Sequence, residues 1–288
     1  MQHTESNMND SSTPLCKRRA GGGSATGGGM NFQAAVTTIA YIYMARGCPL
    51  LWLDKLADDI PIAIEVETGG AGDDLRLLLK DTQSIEVQVK KGLRSGPDLW
   101  EALIKLANAV TNDTASFGVL AVSPTSSNTI TNNLATDIVR IGDGCIDGYS
   151  AITLKFLQKL KAAQINPREA CARIRIITIQ ATSMYQEAIR TARAELSHLC
   201  AYDTQISAAW DALYRDASRL IELHSRREMS SLLCVLISSG ITLTEKETTM
   251  PAILLAKLTR WTLNTHIFFS IFGAGIPLKL DEACVFKL

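Results

Sequence analysis

The stretch Ile85-Glu86-Val87-Gln88-Val89-Lys90-Lys91-Gly92 (IEVQVKKG) decides how the chain is read. Ile85, Val87 and Val89 alternate with Glu86, Gln88 and Lys90, the period of a half-buried strand. Residues two apart share a face, so the carboxylate, the amide and the ammonium line up on one side.

Working upstream, "DDLRLLL" from Asp73 and Asp74 to Leu79 reads as a strand, joined to the first through a turn at Asp81-Thr82. A hairpin places Asp74 beside the Gln88–Lys90 end of its partner. Further upstream, the glycine-rich turn Gly69-Gly70-Ala71-Gly72 follows "IPIAIEV" (60–66), a third strand. "NFQAAVTTIAYIYMARG" reads as a helix, with Asn31 as N-cap and Gly47 as stop. Downstream, "PDLWEALIKLANAV" opens with Pro97 as an amphipathic helix. "FGVLAVSP" (117–124) is an apolar strand buried on both faces, a helix spans about 126–139, and "RIRIITIQ" (173–180) adds a fifth strand.

The fold class is α/β: a central mixed sheet flanked by helices in the order α-β-β-β-α-β. Three domains are expected: a flexible leader over 1–29, the α/β domain over 30–182, and a helical domain over 183–288. The apolar ending "FFSIFGAGIPLKLDEACVFKL" suggests the approach to a further domain.

Among its 288 residues, 29 basic side chains balance 29 acidic ones. Residues 31–140 hold 9 Lys/Arg against 13 Asp/Glu, and 141–288 hold 17 against 14. That gradient fits either an acidic metal site beside a phosphate-tracking surface or chance. Seven scattered cysteines without a CxxC pair argue against structural zinc and for a reducing, cytoplasmic setting. No apolar run has membrane-spanning length, so no membrane partner is expected.

The charged constellation suits phosphodiester hydrolysis, which needs a divalent cation to activate water and neutralise developing charge. Asp74, the side-chain oxygen of Gln88 and the carbonyl of Val89 make half a shell for Mg2+ or Mn2+. Lys90 then orients the attacking water or stabilises the transition state. Read as ordinary structure, the same residues cap a turn and solvate a strand face.

The pattern Asp-x(n)-(Glu/Gln)-x-Lys after an N-terminal helix resembles the PD-(D/E)XK restriction-endonuclease-like superfamily, in its Mrr-type QxK variant. "NFQ…GDDLRLLL…VQVKKG…DLWEAL" is similar to the N-terminal double-strand-DNA endonuclease domain of bacterial anti-phage effectors. The resemblance implies a restriction-endonuclease-like core and Asp74, Gln88 and Lys90 as catalytic residues. It further implies support from Gln33, Glu67, Asp73 and Glu86, with phosphate contacts at Lys91 and Arg94. Double-stranded DNA is the implied substrate, and self-association or a partner sensor or NTPase the implied assembly. The alternative is a catalytically weak or inactive interaction module that docks on such a partner.

Overall fold

In the computed structural model, residues 22–66 and 74–244 are described; Glu67, Asp73 and the glycine-rich turn between them lie outside this set, as does 245–288. Helix α1 spans Gly22–Arg46, strand β1 Ala63–Glu65, β2 Leu75–Leu78 and β3 Ser84–Lys90. Then follow α2 (Pro97–Thr111), β4 (Phe117–Val122), α3 (Ala135–Gly142, entered through a wider turn over Thr129–Leu134), α4 (Ala151–Ala162), α5 (Pro167–Arg173) and β5 (Ile174–Thr178). The described chain closes with α6 (Glu187–Leu196), α7 (Ile206–Leu223), β6 (Arg226–Glu228) and α8 (Met229–Ser238).

The six strands form one mixed sheet in the order β5-β4-β3-β2-β1-β6. Strands β3, β4 and β5 run parallel, whereas β2, β1 and β6 each run antiparallel to their neighbours. The α/β class and the α-β-β-β-α-β order match the sequence expectation.

Alternation divides the sheet into two faces. Ile64, Leu75, Leu77, Ile85, Val87, Val89, Val119 and Ala121 face α1 and share a core with α6, α7 and α8. Leu120, Val122, Ile174 and Ile176 face the other way, into a core with α2, α3, α4 and α5. Helix α1 is central: Phe32 and every residue from Ala34 to Ala45 are buried. Such all-round burial marks a helix packed on both sides.

Two expectations are corrected. Residues 22–29, expected within a flexible leader, are the first two turns of α1. Five of those eight residues are glycine, and each weakens a helix by about 0.8–1 kcal/mol relative to alanine. Nor is there a break at 182/183: α6, α7 and α8 lie against α1, β6 joins the sheet, and the compact unit runs to Thr244. The long helical pattern ending in "HSRREM" hid β6. His224 takes the left-handed conformation at φ 46°, which stops α7 and turns the chain into the strand.

The second layer is pinned by a buried carboxylate. Asp137 accepts from the Ser150 amide at 2.9 Å, the Ser150 hydroxyl at 2.8 Å, the Thr153 hydroxyl at 2.7 Å and Arg140 at 3.0 Å. These bonds tie α3 to the start of α4. Burial pushes the Asp137 carboxyl up, but the Ser150 amide, the Thr153 and Ser150 hydroxyls and Arg140 outweigh it and hold it below its ordinary 3.8. Nearby, a Cβ at Gly142 would lie 2.8 Å from Ala172 Cα and Cys171 O, so only glycine lets α3 approach α5 this closely. Among the described residues, no helix is long and apolar enough to cross a membrane.

Two outcomes follow for stability. Gly142→Ala lowers the unfolding free energy by about 1–3 kcal/mol in urea titration, because the clash is with backbone. Asp137→Asn lowers it by about 1–3 kcal/mol near pH 7. Because the folded carboxyl is held low, its contribution is present above the unfolded value near 3.8 and fades as pH falls through the folded one. The gap between wild type and Asp137→Asn therefore narrows below that pH; a gap that widens there contradicts the assignment.

Candidate functional site

The hairpin of β2 and β3 turns at Asp81 and Thr82, both at positive φ (55° and 63°). Two consecutive left-handed residues give the turn a twist that matches its strands. The turn fixes the register, with Leu78 opposite Ser84, Arg76 opposite Glu86 and Leu75 opposite Val87. Asp74 is thus delivered next to Gln88, as the sequence implies.

The Asp74 carboxylate reaches across to β3. Its Oδ2 accepts from the Val89 amide at 2.7 Å and from Lys90 Nζ at 3.0 Å. From the first helix, Gln33 donates its side-chain amide to the Asp74 carbonyl at 2.9 Å. Gln33, Asp74, Val89 and Lys90 therefore meet. Gln88 is buried and shares a face with Lys90. Val89 meets Asp74 through its N–H, whereas the sequence reading assigned a role to its carbonyl.

Glu86 is 1 % exposed, and its carboxylate is held by Arg76 from the facing strand. Arg76 also lies 3.9 Å from Glu65 of β1, which meets Arg226 of β6 at 3.4 Å. Arg226 in turn reaches Glu228 at 3.3 Å. By register, Glu65, Arg76, Glu86 and Arg226 form one cross-strand row. Glu86 thus serves the sheet as Arg76's partner. Lys91 and Arg94 are both exposed beyond the end of β3.

Sequence reading missed Arg76 and Arg226. Arg76 was findable: positions symmetric about the Asp81 turn oppose each other, which puts it against Glu86. Arg226 was not, because β6 was hidden in a helical pattern.

Magnesium and manganese bind hard oxygen ligands, usually with at least one carboxylate free to coordinate. Here the donor set is one carboxylate, Asp74, and one buried amide, Gln88. A cation at Asp74 competes with the Lys90 ammonium for Oδ2. Among the described residues, no three His, Cys, Asp or Glu side chains are grouped to hold a metal.

No family model matches this chain, and no curated protein matches it. Solved structures do. The Cap4 SAVED/CARF-domain receptor of Acinetobacter baumannii with the cyclic trinucleotide 3′3′3′-cAAA is 11 % identical, with a TM-score of 0.48 over 73 % of this chain and 45 % of that one. The Moraxella osloensis Cap4 receptor is 13 % identical, with a TM-score of 0.44 over 73 % of this chain and 48 % of that one. The chain thus spans less than half the length of these receptors. At such identities and scores, no ligand or activity passes to this chain. What the comparisons name is SAVED/CARF-domain receptors and not the expected PD-(D/E)XK superfamily, so that membership, and the DNA-endonuclease reading that came with it, is withdrawn. A motif of three residues, Asp74 before β2 with Gln88 and Lys90 on β3, is short enough to arise from pairing within a sheet.

The pairing is measurable by a double-mutant cycle. Asp74→Ala leaves the Val89 amide and Lys90 without their acceptor and lowers the unfolding free energy by about 1–3 kcal/mol. Lys90→Ala has a smaller effect, and the double variant less than the sum of the two, by about 0.5 kcal/mol or more. Strict additivity would mean that the two side chains do not interact in solution.

Proposed function

We propose that the chain is an interaction module, catalytically weak or inactive, that docks on a partner sensor or nucleotide-hydrolysing protein. One observation carries this reading: the ionic groups of the sheet face are paired with one another. Lys90 holds Asp74, Arg76 holds Glu86 and Arg226 holds Glu65. A general base or metal ligand must be available to substrate, water or cation. Groups engaged in a satisfied network fix geometry instead.

Charge points the same way. Among the described residues, the paired groups of the face are four carboxylates (Glu65, Asp74, Glu86, Glu228) and three cations (Arg76, Lys90, Arg226), a balance of one negative charge. Double-stranded DNA presents about one negative charge per 1.7 Å of axis and selects surfaces with excess Lys and Arg. Here the face does not supply that excess. A setting in antiviral defence belongs to the same proposal, as does self-association.

The test incubates the purified protein with supercoiled plasmid and Mg2+ or Mn2+, with and without a cyclic trinucleotide as probe. The plasmid stays intact, and affinity purification from the native host recovers the same nucleotide-hydrolysing or sensor partner with wild type and with Lys90→Ala. Metal-dependent plasmid loss that disappears in Lys90→Ala overturns the reading.

A further inference from the structure

We propose that the outer edge of β5 pairs antiparallel with the same strand of a second copy of this chain, so that two sheets join into one. The proposal deepens the self-association named above by giving it a surface, and it rests on that part of the reading alone.

The register shows which backbone groups are open. The Ile179 amide donates to the Val122 carbonyl at 2.9 Å, and Val122 stands opposite Thr178. In a parallel ladder alternate residues bond the same neighbour, so Arg175 and Ile177 turn their N–H and C=O groups toward β4. Those of Ile174, Ile176 and Thr178 point the other way, and β5 is the outermost strand on its side of the sheet. Arg175 covers the first position, donating from its guanidinium to the Ile174 carbonyl at 2.7 Å. Among the described residues, no hydrogen-bond partner meets the outward groups of Ile176 and Thr178. The short turn Leu51–Leu56 buries Leu53 and Leu56 in the α1 core that Ile177 also joins, and it gives β5 no backbone bond.

The two edges of the sheet differ. Strand β6 is three residues long, and Arg226, Arg227 and Glu228 are all charged, which guards it against a foreign strand. Strand β5 is five residues long with one charged residue, Arg175, whose guanidinium is folded back onto the Cys171 carbonyl at 3.0 Å as well as that of Ile174. An unguarded row of donors and acceptors is complementary to an extended chain. A second copy fits it, because the outward residues Ile174, Ile176 and Thr178 are spaced symmetrically about Ile176. With Ile176 on a two-fold axis, its amide and carbonyl bond those of its counterpart, and the Thr178 amide donates to the Ile174 carbonyl of the second copy. Arg175 then stands opposite Ile177, so no like charges meet.

The experiment is sedimentation equilibrium on the full chain across a range of concentrations. Thr178→Pro removes an amide that points away from β4 and spares the ladder to it. Thr178 is exposed, so its side chain can change without disturbing the core; Thr178→Val keeps the amide and serves as control. Wild type and Thr178→Val form a dimer with the same dissociation constant. Thr178→Pro raises that constant about tenfold or more, through the loss of two symmetric bonds, while hydrogen exchange at the Ile177 amide stays slow, showing that β5 remains in its own sheet. In wild type the Ile176 amide becomes protected as concentration rises. A dimer of unchanged affinity in Thr178→Pro overturns the strand pairing and leaves self-association standing, whereas a monomer at every concentration overturns both. Neither result alters the plasmid and partner outcomes that test the docking reading.

Discussion

Much of this structure depends on a carboxylate that crosses from one strand to the next. The Asp81-Thr82 turn determines which residues of β2 and β3 oppose each other, and the Asp74 carboxylate locks the far end by accepting the Val89 amide and the Lys90 ammonium. A slip of one residue would turn every side chain of β3 to the opposite face. Val87 and Val89 would leave the α1 core, and Glu86 and Gln88 would enter it without their partners. The apolar and ionic halves of the strand thus enforce the same register.

From that hairpin the sheet grows in both directions by different means. Toward β4 and β5 it is built by parallel strands and crossover helices, with an apolar face beneath α2, α3, α4 and α5. Toward β1 and β6 it is antiparallel, and that side carries the ladder of Arg76, Glu65 and Arg226. Strand β6 is anchored on its other face too. Arg227 grips Asp216 of α7 with two bonds, at 3.0 and 2.9 Å. Successive arginines therefore attach one short strand to the sheet and to the helix that precedes it. Charged side chains on so short an edge also discourage pairing with a foreign strand.

The hairpin was legible because its information is local: alternation gives the strands, two turn residues give the register, and counting outward gives the neighbours. The same holds for the meeting of Asp74 with Lys90 and for α2, whose Pro97 start and apolar spacing are explicit. What was not legible depends on long-range packing. The pattern of α1 does not say that three later helices cover its second side, so residues 183–288 read as a domain of their own. The glycines before Asn31 read as a linker because propensity favours that state, while the structure continues the buried helix through them. Helices α4 and α5 escaped notice; α5 begins with Asn166 accepting from the Arg168 amide before Pro167 opens its first turn, a start signal that was present in the sequence.

The constellation itself shows why a spacing pattern underdetermines chemistry. An aspartate at a strand end and a lysine on the adjacent strand must come within bonding distance whether the pair activates water or closes a hairpin. What separates these roles is the remaining valence of each group, and that is set by residues the pattern does not contain. Here Arg76 takes up Glu86, which would otherwise have added a second negative charge beside Asp74. A buried carboxylate needs a counter-charge; with a guanidinium supplying it, the face needs no cation from solution to be neutralised at Glu86. The choice of arginine at a position between two leucines of β2 therefore bears on the character of the face as strongly as the glutamine and lysine that first drew attention to it.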